Sequence, residues 1–347
     1  MRKAIPEPES VVVVSSTPEH PDNGQADIVR LANGDLLLAY GQWNRSNGIT
    51  ELNPAEIRCL TSPDGGMTWG NDSILLPNEG GVGTFSVSLL RLQRGDILIC
   101  YGVKESLEAR NVYFRRSGDE CKTWSPRVKL EVPAWYSGYT GISNNRLVQL
   151  KSGRILAPAW AGWAKDRTIL GFAAYSDDNG KTWRKSEDVD IRMIDPSNKY
   201  GADDPAVIEL SDGRVMMFIR NTLGYIAKSY SKDQGITWTR PVLVRELEAP
   251  DAPASIARIP ATGDLLLIWN RSRTERRPLC SAISKNEGKT WGYVRTIDES
   301  RCAYASITPL DDKILLTYWS YKHPEADSKS GTTLKLKSID YRWFYKD

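Results

Sequence analysis

Ser62-Pro-Asp-Gly-Gly-Met-Thr-Trp69 is the stretch that decides the fold, because the chain repeats its pattern four more times. Each copy reads Ser-x-Asp/Asn-x-Gly/Cys-x-Thr-Trp, and successive final tryptophans lie 53 to 59 residues apart. The other four copies span 117–124, 176–183, 231–238 and 284–291. Self-similarity at a period near fifty indicates a chain built from repeated structural units.

The chemistry of this repeat predicts a tight hairpin turn. Its Asp carboxylate accepts bonds from backbone N–H groups a few residues on, and its Gly supplies a positive φ. Two copies deviate, with Cys121 at the Gly position of the second and Asn286 at the Asp position of the fifth. We expect Asn286 to keep the turn and Cys121 to adopt a mildly strained left-handed conformation. The final tryptophans are expected to be buried between neighbouring sheets, which makes the repeat part of the scaffold.

A strand–turn–strand pattern precedes each copy. Residues 26–40 are the first example, in which Asn33-Gly34 joins two apolar strands. The pattern recurs at 86–101, 145–159, 205–219, 255–269 and 303–318. Four short strands per unit and six units predict an all-β fold, a six-bladed β-propeller forming a single domain over residues 1–347. The sixth unit lacks the Asp-containing turn, so the valine-rich strand 10–16 is expected to close the last blade, beside 332–339.

Composition argues against several classes of function. The net charge of +3 is too small to indicate nucleic-acid binding, and no apolar run approaches membrane-spanning length. No His or Cys pair has metal-ligand spacing and no Gly-rich phosphate loop is present, so we expect no metal or cofactor. The five cysteines are scattered and predicted to be small buried side chains in a reducing compartment. Without an apolar segment near Met1, the sequence predicts a cytoplasmic location, or secretion if an export signal precedes it; it gives no oligomeric state.

The repeat and the six-unit organisation together resemble the sialidase superfamily, whose repeats carry this same turn, the Asp box. The resemblance covers nearly the whole chain. It implies an exo-glycoside hydrolase that acts on a terminal acidic sugar, with an acidic glycan as the partner. Sialidases depart from the usual two-carboxylate glycosidase mechanism because their nucleophile is a tyrosine.

Three segments match the catalytic segments of that superfamily. In the fourth unit, 204–220 opens with an acidic residue and closes with an arginine. The match makes Arg220 one of the arginines that bind the substrate carboxylate, and places Asp204 where the family has the glutamate that deprotonates the nucleophile. In the fifth unit, Arg276 has the family spacing to the Asp box, with Arg277 as second choice. In the sixth unit, Tyr304 matches the catalytic tyrosine.

These residue types suit an acidic sugar. A planar carboxylate is bound best by guanidinium groups, which contact both of its oxygens. A tyrosine with a free pKa of about 10 is a poor nucleophile at neutral pH and needs a carboxylate beside it as a base. A neutral tyrosine also avoids the repulsion that a carboxylate nucleophile would meet at an anionic anomeric centre.

The first unit departs from the family pattern. The superfamily has an arginine just ahead of the first strand, but residues 21–26 contain none, and Arg146 is a candidate to replace it. Lys104, which follows a strand of the second unit, is a further candidate for the pocket. The family also carries an aspartate acid/base on a first-unit loop. Glu51 is the nearest carboxylate there and Glu56 the next. Aromatic residues of a third-unit loop are candidates for stacking on sugar faces, namely Trp135, Tyr136 and Tyr139.

Two alternatives to a sialidase-like hydrolase stay open. One is an exo-glycosidase or lyase for another acidic sugar, such as a uronate. The other is a non-catalytic propeller that binds glycans through its central face. An enzyme requires Glu51, Asp204 and Tyr304 to lie near one another, whereas a binding protein requires only the arginines and aromatic residues.

Overall fold

The chain is all-β, as the sequence predicts. The computed structural model describes residue 5 and residues 7–44, 54–163, 168–198, 200–321 and 331–346, which form 25 β-strands and two 3-10 helices, Ile191–Met193 and Tyr341–Tyr345. No helix within these ranges is long and apolar enough to cross a membrane. All five cysteines are buried and unpaired, which confirms their prediction as small core side chains.

The strands form six antiparallel units, in each of which consecutive strands pair through hairpins. Unit 1 comprises β2 (Asp22–Arg30), β3 (Leu36–Trp43), β4 (Ala55–Ser62) and β5 (Gly70–Leu76). Unit 2 comprises β6 (Gly83–Arg91), β7 (Ile97–Lys104), β8 (Arg110–Ser117) and β9 (Val128–Lys129). Unit 3 comprises β10 (Tyr136–Gly141), β11 (Val148–Gln149), β12 (Ile155–Trp163), β13 (Ile169–Ser176) and β14 (Arg184–Lys185).

The second half of the chain repeats the arrangement. Unit 4 comprises β15 (Asp203–Glu209), β16 (Val215–Arg220), β17 (Tyr225–Ser231) and β18 (Val242–Glu248). Unit 5 comprises β19 (Ser255–Arg258), β20 (Leu265–Asn270), β21 (Leu279–Ser284) and β22 (Gly292–Asp298). Unit 6 comprises β23 (Cys302–Pro309), β24 (Lys313–Tyr321), β25 (Thr332–Asp340) and the N-terminal β1 (Ser10–Val14). Strand β1 pairs antiparallel with β25, with Val11 opposite Leu336, and ends two residues before the predicted boundary at residue 16.

The Asp-box hairpins have the predicted geometry. In the first, the Asp64 carboxylate accepts hydrogen bonds from the backbone N–H groups of Met67 and Thr68, both at 2.9 Å. In the second, Glu120 and Cys121 are both left-handed, with φ of 63° and 65°. The expected strained conformation of Cys121 is therefore confirmed.

Apolar side chains form six core clusters, each of which joins two consecutive units, and the sixth joins unit 6 to unit 1. The Asp-box tryptophans pack on these clusters but are only half-buried, so their expected burial between neighbouring sheets is confirmed only in part. Trp183 of unit 3, for example, stacks on Phe114 of unit 2 with ring centroids 3.7 Å apart.

Candidate active site

A cavity of about 410 Å³ is lined by residues of the first strands of units 1, 2 and 6 and by residues near the ends of other strands. Its walls are largely aromatic, and four charged side chains line it. The aromatic residues are Trp43, Phe85, Tyr139, Tyr304 and Trp319, and the charged residues are Asp22, Lys104, Arg110 and Arg276. A cavity of this size, with apolar walls and few polar groups, is typical of a small-molecule site.

Backbone bulges aim side chains at this region. In four units the antiparallel register of the first strand breaks beside a non-glycine residue with positive φ. These residues are Gln25 (51°), Ser86 (61°), Asp204 (38°) and Tyr304 (56°). A bulge redirects a side chain, and left-handed non-glycine residues are strained conformations that concentrate at functional sites. Two of the sequence-predicted residues, Asp204 and Tyr304, thus occupy equivalent positions in different units.

Arg220 joins these two residues. Its Nη1 donates to Asp204 Oδ2 at 2.6 Å and to Tyr304 Oη at 3.3 Å. The phenol and the carboxylate therefore share one guanidinium nitrogen and lie at most about 6 Å apart, a span that one bridging water can cross. Asp204 and Arg220 do not line the cavity with Tyr304; both line a smaller pocket beside it.

Two further aspartates neutralise Arg220. Its Nη1 lies 3.4 Å from Asp203 Oδ2, and its Nε donates to Asp251 Oδ1 at 2.7 Å. Burial, and next the neighbouring Asp204 carboxylate, raise the pKa of Asp203 to about 6, while Arg220 opposes this rise. Tyr200 Oη donates to Asp203 at 2.7 Å and holds that carboxyl in place. Arg220 is thus an anchor for the protein's own carboxylates.

Arg276 lies on the other side of the tyrosine. Its guanidinium carbon is 5.7 Å from the centre of the Tyr304 ring, and its Nε donates to the Asp251 backbone oxygen at 3.1 Å. Asp251 therefore contacts both arginines, one through its side chain and one through its backbone. Burial and the Asp204 charge raise the pKa of Tyr304, whereas Arg220 and Arg276 lower it. The two guanidinium groups are thus placed to stabilise a phenolate.

The structure places the remaining sequence candidates differently. Lys104 is buried and lines the cavity. Arg146 is also buried, but it lines a separate cavity of about 480 Å³ and donates to the Ala254 backbone oxygen at 3.1 Å and to Ser255 Oγ at 3.3 Å. Arg277 is exposed and forms an ion pair with Glu275. Glu51 lies outside the described residues.

Glu56, the second candidate acid/base, and the three aromatic residues predicted to stack on sugars lie in different surroundings. Glu56 accepts a hydrogen bond from Arg58 Nη1 at 2.9 Å. Tyr139 lines the cavity, Trp135 is 59% exposed, and Tyr136 is buried with its hydroxyl donating to Asp188. One of the three predicted stacking residues thus lies at the cavity.

Sequence reasoning missed Arg110. It is buried, donates to Ser86 Oγ at 3.0 Å, and lies over the Phe85 ring at 4.7 Å. Arg110 begins β8, the third strand of unit 2, and Arg276 lies just ahead of β21, the third strand of unit 5. Arg110 lies seven residues ahead of Ser117 and Arg276 lies eight ahead of Ser284, so a search that allowed one residue of variation in this spacing would have found Arg110 as well. Asp22, Trp43 and Trp319 had no such signal.

Within the described part of the chain, no three His, Cys, Asp or Glu side chains are grouped closely enough to hold a metal ion. The charged groups around Tyr304 are instead carboxylates paired with arginines. Such a set suits proton transfer and the binding of an anion.

Comparison with known proteins matches this chain to BNR repeat-like domains and to sialidases. The family model for the BNR repeat-like domain matches residues 55–316. The sialidase of Micromonospora viridifaciens is 27% identical over 349 aligned positions, which cover 89% of this chain and 50% of that protein. The chain spans about half the length of the curated relatives it matches.

Solved structures share the fold. The Hadza microbial sialidase Hz136 superposes with a TM-score of 0.78 at 20% identity, covering 96% of this chain and 68% of that chain. The Trypanosoma rangeli sialidase in complex with 2,3-difluorosialic acid, a covalent intermediate, has a TM-score of 0.72 at 16% identity, covering 96% of this chain and 59% of that chain. Likeness at this level of identity concerns the fold.

Proposed function

Because this chain belongs to the sialidase superfamily through its BNR repeat-like domain, we propose that it is a sialidase-like exo-glycoside hydrolase acting on a terminal acidic sugar. The proposal rests on one observation above all. Tyr304 Oη and Asp204 Oδ2 both accept hydrogen bonds from Arg220 Nη1 beside an aromatic cavity, which is the arrangement an activated tyrosine nucleophile requires.

The six units are, in this proposal, six blades of one propeller around a central axis. The six core clusters support it, since each blade of a propeller packs on two neighbours. The last cluster, which joins units 6 and 1, is the contact that ring closure needs. The pairing of β1 with β25 would hold the two ends of the chain in the same blade.

Tyr304 attacks the anomeric carbon, and Asp204 accepts the phenolic proton directly or through one water. Arg220 and Arg276 favour the phenolate form because both lower the pKa of Tyr304. The covalent intermediate observed in the T. rangeli sialidase is consistent with this chemistry on the same fold. The product would then be released when water cleaves the tyrosyl bond.

The carboxylate of the sugar would be bound mainly by Arg276, which lines the cavity. Arg220, the second arginine predicted for the clamp, does not line it and would act through its bonds to Asp204 and Tyr304. Lys104 and Arg110 line the same cavity and add positive charge to it. Arg146 is buried among Ser255 and the Ala254 carbonyl, so its contribution would be to the charge beneath Asp204 and Tyr304.

A uronoside is the second candidate substrate, and a specific observation favours it. The place of the family's first arginine is taken by Asp22-Asn23-Gly24, and Asn23 is wholly buried, accepting from Gln42 Nε2 at 2.9 Å. Arg220 meanwhile bonds three aspartates of the protein. A site with fewer available arginines suits a smaller acidic sugar as well as sialic acid.

Turnover of 4-methylumbelliferyl glycosides of sialic acid and of glucuronic acid tests the function. Tyr304→Phe should abolish turnover of the accepted substrate without lowering the melting temperature, because only the nucleophilic oxygen is lost. Arg276→Ala should weaken binding by roughly 1–3 kcal/mol, since a charged hydrogen-bond partner is removed. Tight binding of the free sugars by a wild-type protein that hydrolyses neither glycoside would instead identify a non-catalytic glycan-binding protein.

A further inference from the structure

We propose that Asp22 is the acid that protonates the leaving glycosidic oxygen. The inference rests on the proposed function and adds a catalytic residue to it. Asp22 begins β2, where its Cα pairs with Trp43 of β3 and with Thr332 of β25. The residue therefore sits at the junction of units 1 and 6, on the wall of the cavity that also contains Tyr304.

Position separates Asp22 from the other carboxylates near the tyrosine. Among the described residues that line the cavity, Asp22 is the one carboxylate. Asp204 lines a different pocket, and Asp203, which accepts a hydrogen bond from Tyr200, does not line the cavity. A leaving-group acid must reach the glycosidic oxygen from the cavity, whereas the base for the tyrosine needs to reach only the phenol. Asp22 fits the place of the leaving-group acid, and Asp204 fits the place of the base for the tyrosine.

The surroundings favour the protonated form of Asp22. Thr332 Oγ1 donates to Asp22 Oδ1 at 3.1 Å and orients the carboxyl. Burial raises the pKa of Asp22, and the Thr332 hydrogen bond opposes that rise. The other charged or titratable groups that line the cavity are Lys104, Arg110, Tyr139, Arg276 and Tyr304, and the three cations among them attract the sugar carboxylate. An ionised Asp22 would repel that carboxylate, so a bound anionic sugar itself favours the neutral acid.

Each bond and proton is accounted for in the reaction. As Tyr304 Oη bonds the anomeric carbon, its proton goes to Asp204, and the Asp22 carboxyl proton goes to the departing glycosidic oxygen. The Asp22 carboxylate then takes a proton from water, whose oxygen bonds the anomeric carbon as the tyrosyl bond breaks. Asp204 returns its proton to the phenolate. The net reaction is hydrolysis, and both aspartates end in their starting states.

The place of this acid also differs from the sequence expectation. Glu51 was the expected acid/base, on the loop that follows Trp43. Asp22 pairs with Trp43 and is held on strand β2, whereas Glu51 lies outside the described residues. Groups on strands hold catalytic geometry more accurately than groups on loops.

Leaving-group dependence tests the assignment. Wild type, Asp22→Asn, Asp22→Ala, Glu51→Gln and an exposed-turn control, Asp212→Asn, are compared on a sugar-linked glycoside such as sialyllactose and on its 4-methylumbelliferyl analogue. Asp22→Asn should lose about 10²–10⁴-fold in kcat/KM on the sugar-linked substrate. Its loss on the aryl glycoside should be at least tenfold smaller, because that leaving group needs little protonation. Azide, which needs no general base, should accelerate Asp22→Ala on the aryl glycoside.

Thr332→Val supplies a readout that does not depend on total activity. Removing the Thr332 bond should raise the pKa of Asp22, so the alkaline limb of the kcat/KM profile should move to higher pH. If Glu51→Gln lost much more kcat/KM on the sugar-linked substrate than on the aryl glycoside, and Asp22→Asn did not, the inference would be overturned while the proposed function stands. Equal losses on both substrates in Asp22→Asn, with no azide effect, would also overturn it. A Tyr304→Phe variant as active as wild type would overturn the proposed function instead.

Discussion

Replacing Arg220 by Met tests the buried charge cluster on which the candidate site depends. Met keeps the length and apolar stem of the side chain but removes the cation. The Arg220 side chain is 8% exposed, and those of Asp203 and Asp204 are 7% exposed. Removing one partner from such a pair leaves buried charge uncompensated and destabilises a protein by about 3–5 kcal/mol. The Asp251 side chain is 42% exposed, so solvent screens its charge and its share of the loss is smaller.

The loss should depend on pH, and its sign follows from Asp203. Burial and the Asp204 charge raise the pKa of Asp203 to about 6, so ionising it already lowers stability as pH rises towards 6. Arg220 holds that pKa down, and without Arg220 it rises further. The destabilisation by Arg220→Met should therefore be largest at and above pH 7 and should shrink towards pH 4, where Asp203 is protonated.

Thermal unfolding measures both quantities. With an unfolding entropy of about 2 cal/mol/K per residue, a loss of 3–5 kcal/mol in 347 residues lowers the melting temperature by roughly 4–7 °C. Arg214→Met is the matched control, because the Arg214–Asp212 contact of 2.7 Å is similar to the 2.6 Å of Arg220–Asp204 but lies at the surface, so its removal should cost less than about 1 kcal/mol. Adding Asp203→Asn to Arg220→Met should restore part of the loss. Equal melting temperatures for wild type and Arg220→Met at pH 7, or a deficit that grows on acidification, would refute the reasoning.

Two further predictions concern the scaffold. Trp183→Ala should destabilise the protein by about 3 kcal/mol, the low end for such a truncation, because the half-buried indole still stacks on Phe114 at 3.7 Å. In the same denaturant titration, the control Trp135→Ala, at a 59% exposed site, should change the free energy of unfolding by less than about 0.5 kcal/mol. The hydrogen bond from the Thr123 hydroxyl, and next that from its backbone N–H, lower the pKa of Asp119 to about 2, so its contribution is present above pH 4 and is lost as pH falls towards 2. Asp119→Asn should consequently reduce the acid-induced drop in melting temperature, and an unchanged drop would contradict the Asp-box account; Asn286 already holds the same turn in the fifth copy.

Local chemistry explains why the strands and turns could be predicted. The Asn33-Gly34 turn and the Asp64 hairpin depend on residues adjacent in sequence, and both formed as expected. Burial of the tryptophans was overestimated, because the repeat shows that Trp183 is a large apolar side chain but not how far its neighbouring sheet extends over it. The pairing of β1 with β25 joins residues more than 300 positions apart, so the sequence supported it only through the sixth unit's missing strand.

Residues of the candidate site could be predicted only where their positions recur in every repeated unit. Tyr304 and Asp204 occupy the bulge of a first strand, and Arg276 precedes a third strand, so each has a fixed place relative to an Asp box. Asp22 has no such place, since its environment comes from Thr332 at the other end of the chain. A carboxyl whose role depends on a partner that distant carries no local pattern. The repeat pattern therefore predicts the site residues whose positions recur in every unit. The residues that would set leaving-group chemistry and substrate choice lie instead at the junction between the first and last units, where no repeat identifies them.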